Sequence, residues 1–561
     1  MSGYSNFGLR ELLSAVAAVA AVFVVFILIL LYQKYKSRKR LMAKIRREWG
    51  REPEREYDPT EYDCISHYYL NRDTDEFQID DITWNDLDMD RIFMQMNHTR
   101  SFIGESSLYY RLRTPRLAQG DLEEFERAVS WFGTHEKERE ELEYFFAKIG
   151  KTGRQSVFDY IFSLTEAPVD NPLIHIGAVA LIFAAVAVLL FNPQPDILLL
   201  LSAVGVSMWI YNRSKMRVAP YILACTAIEK VLQSAEQIAK LDVVTMKREE
   251  LKKAVGAFGK LRRSMFFLVS GDANSDNFLE LLLAYLNNLL HIDLLQFGVV
   301  VREAAKHIGE FEFIVEEIGR IESAIAVASW RVLHERHAVP VLHEDGELCF
   351  SAQGMYHPLI REPVANSVET DRCLLLTGSN ASGKSTFLKT AALQAILAQT
   401  IHTVTADSYE ARYFRVFSSM ALRDDLVGEE SYYMVEIRSL KRILDRRAGA
   451  VPVLCCIDEV LRGTNTVERI AASSQILKCM AEDGVMCIAA THDIELTYLL
   501  EGIYRNCHFE EEITDDNICF DYKLREGRAM TRNAIRLLAL MGFEERIIQD
   551  AEWMAEHVSK M

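Results

Sequence analysis

The spacing of apolar and polar positions gives the chain two textures. Up to about residue 340, apolar residues come in long unbroken blocks or at helical spacing. Beyond it they come in short runs between Gly, Pro and Asp. Residues 11–32 form the first block, almost wholly apolar and as long as the ~20 residues that cross a bilayer. A second block covers 173–211 and is split by Asn192-Pro193-Gln194-Pro195-Asp196 into helices predicted at roughly 173–191 and 196–211. Neither half has a polar face, so the block reads as a membrane hairpin, its shorter half spanning by tilt or local thinning. The alternative is a helical hairpin buried in a soluble core. Segments 80–172 and 212–339 place apolar residues three to four apart and predict helices, with breaks at Pro115 and at Gly271, Asn274 and Ser275. Residues 34–79 are basic, then acidic and Tyr-rich with Pro53 and Pro59, and read as a linker. Past residue 340, the runs Leu348–Phe350, Cys373–Thr377, Thr403–Ala406, Val451–Ile457 and Met486–Ala490 alternate with helical stretches. That alternation predicts an α/β domain with a largely parallel sheet.

The expected fold class is therefore α plus α/β. A transmembrane helix (1–33) and a linker (34–79) precede a helical core (80–172 and 212–339), which a transmembrane hairpin (173–211) interrupts; a C-terminal α/β domain fills 340–561.

Charge adds an orientation. Lys34, Lys36, Arg38, Lys39, Arg40, Lys44, Arg46 and Arg47 follow the first block, and Arg213, Lys215 and Arg217 follow the second. A secretory signal carries its basic residues ahead of its apolar run, so the first block reads as an uncleaved anchor. The positive-inside bias then predicts a multi-pass protein of the cell membrane, with three helices, the N-terminus outside and the C-terminal domain cytoplasmic. The net charge of −17 over 561 residues argues against a protein that coats nucleic acid, although Lys252, Lys253, Lys260, Arg262 and Arg263 form a local basic stretch. Ten cysteines lack metal-ligand spacing and read as reduced core residues.

The chemistry concentrates in the C-terminal domain. The strand Cys373–Thr377 runs into Gly378-Ser379-Asn380-Ala381-Ser382-Gly383-Lys384-Ser385, and a helix opens at Thr386. A strand, a glycine loop and a helix in that order cradle nucleotide phosphates with backbone N–H groups. Lys384 would reach the β- and γ-phosphates of ATP, and the Ser385 hydroxyl would ligate Mg²⁺. The apolar run Val451–Ile457 ends in Asp458 and Glu459. Asp458 would hold the Mg²⁺ through water, and Glu459 would orient the attacking water. Ala489-Ala490-Thr491-His492 is another strand ending in a polar residue; His492 either senses the γ-phosphate or is structural. The acidic run 510–516 reads as a solvated hairpin without chemistry.

These residues carry a family resemblance. Thr377–Thr386 resembles the Walker A loop of the MutS mismatch-repair family. Asp458-Glu459-Val460-Leu461-Arg462-Gly463-Thr464-Asn465-Thr466 resembles its Walker B run, Asp424–Glu436 its signature segment, and Ala490–Leu496 its switch histidine. Gly354-Met355-Tyr356-His357-Pro358 is similar to its Gly-Arg-His-Pro element, and Ile103–Pro115 to the start of its helical core. The resemblance covers about residues 80–550. It implies an ATP hydrolase, an ATPase domain of the ABC/MutS type that dimerises, with Ser431 offered to the partner's ATP, His357 beside the nucleotide, and the helical core acting as levers. The chain also departs from the family. Leu461 replaces the usual Gly, Val467 follows where another Gly is expected, and no Phe-x-Glu wedge is found. A phenylalanine wedge is how such a protein reads a mismatch. Two functions are thereby expected: an ATPase acting on mismatched or branched DNA near the membrane, or a mechanochemical ATPase acting on a membrane or protein partner. A transporter of the ATP-binding-cassette type is a third, without its Leu-Ser-Gly-Gly-Gln signature.

Overall fold

The computed structural model describes residues 9–72, 74–151, 157–191, 197–269, 285–379, 382–420, 432–461, 465–482, 484–513, 518–529, 535, 538 and 541–558. The first helix, α1 (Leu9–Glu48), runs straight through the apolar block and the basic stretch without a break. Its residues Val24 to Tyr32 are exposed, while its far end is tied down by Arg46, which donates to both Glu140 carboxylate oxygens at 2.6 and 2.8 Å.

The segment expected to be a linker is instead part of the core. A helix, α2 (Pro59–Leu70), starts behind the N-cap Asp58, whose side chain accepts from Thr60 N and so satisfies one orphan amide. Tyr62 packs edge-on against Phe93 and Tyr109, and Tyr57 packs at a tilt against Phe93. The burial of these rings explains why an acidic, Tyr-rich stretch orders.

The helical core continues with α3 (Asp81–Asp86), α4 (Met89–Met96), α5 (Phe102–Arg113), α6 (Gln119–Thr134), α7 (Glu136–Ile149) and α8 (Val157–Thr165). Then come α9 (Pro172–Phe191) and α10 (Ile197–Ile238), both long and apolar enough to cross a membrane. Leu173, Phe183, Leu190, Leu198 and Trp209 on them are exposed. The expected end of the hairpin near residue 211 is not a break: α10 continues for 42 residues, through Pro220, into the core. Hydropathy changes at Arg213 but helix propensity does not, so one helix serves both parts.

After α11 (Arg248–Ala257), α12 (Gly259–Val269) and α13 (Ile292–Lys306), α14 (Ile308–Leu333) crosses the centre of the core. It lies so close to α5 that a Cβ on Gly319 would stand 2.6 Å from Ser107 Cβ. The expected break at Gly271, Asn274 and Ser275 lies outside the described residues.

Two sheets follow. The smaller contains β1 (Val341–His343), β2 (Phe350–Met355), β3 (Asn366–Thr370) and β5 (Ser408–Arg412), in the order β1-β5-β2-β3. The larger contains β4 (Leu374–Thr377), β6 (Arg415–Ser419), β7 (Val453–Asp458), β8 (Val485–Ala490), β9 (Arg505–Ile513) and β10 (Ile518–Glu526), in the order β10-β9-β4-β8-β7-β6. Its neighbours pair in parallel except the β9–β10 hairpin. The single sheet expected from the sequence is thus two. The predicted run Thr403–Ala406 is no strand: Val404 makes only an isolated bridge with Ala338. The fully buried strands β7 and β8 are the ones whose apolar runs had no alternation, as central parallel strands require.

One apolar core extends from Ile65 in α2 to Phe509 in β9 and joins the helical part to the sheets. Polar contacts reinforce the junction. Arg111 Nε donates to the Thr400 carbonyl at 2.8 Å, Ser418 Oγ to Asp86 at 2.6 Å, and Lys389 Nζ to Asp88 at 2.8 Å.

Candidate nucleotide site

β4 is buried along its whole length and delivers the chain to Gly378 at the C-terminal edge of the sheet. Gly378 has φ 145° and Gly383 φ 107°, values that L side chains rarely adopt. A Cβ on Gly378 would also lie 2.7 Å from the Phe509 carbonyl oxygen, so the loop has room only for glycine there. The helix α15 (Lys384–Thr400) begins directly after Gly383 and aims its free N–H groups at the loop. Asn380 and Ala381 lie outside the described residues.

Lys384 is 5% exposed, and its ammonium donates to the carbonyls of Gly378 at 2.8 Å and Ser379 at 2.6 Å. Ser382 is buried, and its hydroxyl has no hydrogen-bond partner among the described residues. A buried, unsatisfied hydroxyl beside a lysine and a helix N-terminus suits a phosphate oxygen. Ser379 Oγ donates to Glu511 Oε2 at 2.7 Å.

At the end of β7, Asp458 Oδ2 accepts from Ser385 Oγ at 2.6 Å. Two hard oxygen donors at one point fit Mg²⁺, which takes one or two protein ligands and fills its octahedron with water and phosphate. Glu459 follows at φ 62°, an uncommon conformation for a residue with a Cβ. Its amide is anchored to the Ala490 carbonyl at 3.0 Å, and its Oε1 lies 2.7 Å from His492 Nε2. Asp493 is gripped by both guanidinium arms of Arg469 at 2.9 and 2.5 Å, which fixes the turn that carries His492. Sequence had assigned His492 to the γ-phosphate or to structure; the side chain it meets is Glu459.

On the other side of the loop a cavity of about 370 Å³ is lined by Tyr356, His357, Thr386, Phe387, Thr390 and Tyr522, among others. His357 is buried, and burial pushes its pKa down to about 4, helped by the positive charge of Lys389. It therefore stands as a neutral imidazole near neutral pH, and its Nδ1 accepts from Leu359 N at 3.3 Å. An apolar, aromatic-lined cavity next to a phosphate loop has the character of a base pocket.

The structure thus brings together Gly378, Ser379, Ser382, Gly383, Lys384, Ser385, Thr386, Asp458, Glu459, His492 and His357. Ser431 and the signature residues before it lie outside the described residues; the helix α16 (Tyr432–Asp445) begins just after them. Two residues at the site were missed from sequence. Tyr522 lines the cavity at φ 54°, and Glu511 reaches Ser379. Both arrive on the β9–β10 hairpin, and the only sequence signal was the acidic run itself.

This fold and site define a P-loop nucleotide-binding domain, with the loop between a central parallel strand and its helix and a carboxylate pair on a neighbouring strand. Residues 374–559 match the family described as MutS domain V, and this domain is of the MutS type. It is 31% identical over 247 residues to the DNA mismatch repair protein MutS of Natronomonas pharaonis, covering 41% of this chain and 29% of that protein. The MutS of Aquifex pyrophilus is 31% identical over 265 residues, 45% of this chain and 30% of its own. The DNA mismatch repair protein MutS 2 of Halobacterium salinarum is 29% identical over 262 residues, again 45% of this chain and 29% of its own. The chain spans about 30% of the length of these relatives.

Proposed function

We propose that the protein binds and hydrolyses ATP with Mg²⁺ and couples the cycle to movement of its helical core. The observation that carries this reading is the pairing of Ser385 with Asp458 at 2.6 Å and of Glu459 with His492 at 2.7 Å around one buried lysine. Lys384 neutralises the terminal phosphates in a site shielded from water. Ser385 and Asp458 would hold Mg²⁺, which would supply charge neutralisation for the phosphates. Glu459 orients the attacking water, and His492 holds that carboxylate in place. Tyr522 and His357 face the base.

Coupling is supported by Lys389, which lies on the helix that follows the phosphate loop and bonds Asp88 of the helical core. A shift of α15 on nucleotide binding therefore pulls on the core directly. A homodimer through this domain is supported by Val467, 76% exposed just past the carboxylate pair, with Tyr498 and Leu499 also exposed. We take α1, α9 and α10 as the membrane contacts, with the ATP site on the cytoplasmic side.

The work is done on a membrane or protein partner. The basic stretch that would favour DNA is largely neutralised in the fold. Lys252 pairs with Glu249, Lys260 with Glu303, and Arg262 with Glu229 and Glu236, leaving little charge for phosphate contacts. DNA is the second reading, supported by relatives named for DNA mismatch repair.

Phosphate release and nucleotide binding test the ATPase. Lys384→Ala should lose both. Glu459→Gln should keep ATP binding while hydrolysis falls at least ~10²-fold, the scale of a lost acid–base group. Normal turnover in both variants would sink the assignment. Binding of mismatched or branched DNA by the wild type tests the second reading: no binding even at low salt decides against it.

A further inference from the structure

The acidic run 510–516 has no part in the ATP chemistry described above, yet one of its residues folds onto the phosphate loop. β9 pairs with β4 from Leu374↔Arg505 to Thr377↔His508, and the strand continues past the loop to Glu511. There Glu511 Oε2 accepts from Ser379 Oγ at 2.7 Å, with Glu511 8% exposed. The carbonyl of the same Ser379 accepts from Lys384 Nζ at 2.6 Å. A carboxylate and the loop lysine therefore meet at one residue, at the end of the loop where the ammonium gathers. Tyr522 and the base cavity lie beside Gly383, at the opposite end.

We propose that Glu511 is a selectivity residue of the nucleotide site, whose negative charge weakens the binding of a nucleoside triphosphate more than that of the diphosphate. This rests on the ATP reading above. Lys384 marks where the terminal phosphates sit, so Glu511 stands nearer to a γ-phosphate than to the base or ribose. Two like charges in a partly buried site repel by an amount that falls with distance, and the diphosphate lacks the nearest of them. Asp458 and Glu459 meet Ser385 and His492. Glu511 meets the phosphate loop itself, through the Ser379 hydroxyl.

The test is the Kd of fluorescent ATP and ADP analogues, with Mg²⁺, on the full chain in detergent. Glu511→Gln keeps the shape and an acceptor for Ser379 Oγ but removes the charge. It should tighten ATP about tenfold and ADP less than about threefold, as loss of one nearby like charge requires. Glu510→Gln removes the neighbouring charge of the same strand, which pairs with Arg525, and should leave the ATP:ADP ratio as in the wild type. Equal tightening of both nucleotides in E511Q, no change in either, or the same shift of the ratio in E510Q overturns the inference alone. If the wild type binds neither nucleotide, or K384A binds both as well as the wild type, the ATP reading falls and the inference with it.

Discussion

Two residues of the Asp458–Leu461 turn hold left-handed backbone: Glu459 at φ 62° and Leu461 at φ 61°. Leu461 holds a backbone that favours glycine, and it is 3% exposed in the core beneath the sheet. Replacing it with glycine sets two effects against each other. Relief of the left-handed strain gains ~1–2 kcal/mol, while loss of the buried side chain costs ~2–5 kcal/mol. Leu461→Gly is therefore expected to lower unfolding free energy by ~2 kcal/mol, read by denaturant titration; a stabilised variant would show that strain dominates. Residue identity made Gly378–Ser385, Asp458 and Glu459 legible because their chemistry depends on local spacing. Glu511 and Tyr522 were not legible, since they reach the loop through the pairing of β9 with β4 and of β10 with β9, which no local pattern encodes.

At the scale of elements, strands buried on both faces were legible and edge or hairpin strands were not. β7 and β8 are unbroken apolar runs, whereas β3 and β10, each at an edge of its sheet, carry Asn366, Glu369, Lys523 and Arg525. The hairpin shows how a helix boundary can be hidden. Where α9 and α10 meet α13, a polar seam joins them. His291 Nδ1 lies 3.0 Å from His175 Nδ1 and its Nε2 3.0 Å from Ser207 Oγ. Asp293, fully buried, accepts from Tyr211 OH at 2.9 Å and pairs with Lys215. Lys215, counted from sequence as a cytoplasmic flank, is thus an internal partner. Removing one member of a buried pair strands the other, at ~3–5 kcal/mol. Asp293→Ala should therefore cost ~3 kcal/mol and loosen α10 against α13, seen as faster amide exchange in α13. Unchanged exchange would show that apolar packing alone holds the hairpin.

Across the whole molecule, burial sets the response to acid. His98, His334 and His357 lie in separate parts of the fold, and burial, the largest cause in each, brings all three down to about 4. In the unfolded chain a histidine titrates near 6.5. The folded form therefore binds fewer protons between these values, and the stability these groups support is full above pH 6.5 and lost as pH falls toward 4. His334 rests on Trp330, ring centroids 4.5 Å apart, and its Nε2 lies 3.2 Å from Gln95 Oε1. His334→Asn removes one contribution, so the Tm gap between wild type and variant should narrow as pH drops from 6.5 to 4. A constant gap would contradict the neutral, buried assignment.

The unbroken α10 has a mechanical consequence. At 1.5 Å per residue its 42 residues make a rod about 63 Å long. A bend of about 10° at Pro220 displaces the Ile197 end, about 35 Å away, by about 6 Å. Pro220 cannot donate the amide that would bond the Met216 carbonyl, so bending is cheapest there. Below it Ile228, Val231 and Leu232 are clamped in the core, and above it Leu198 and Trp209 are free of it. The rod therefore behaves as a crank with one joint, its short stroke at the core magnified at the apolar tip.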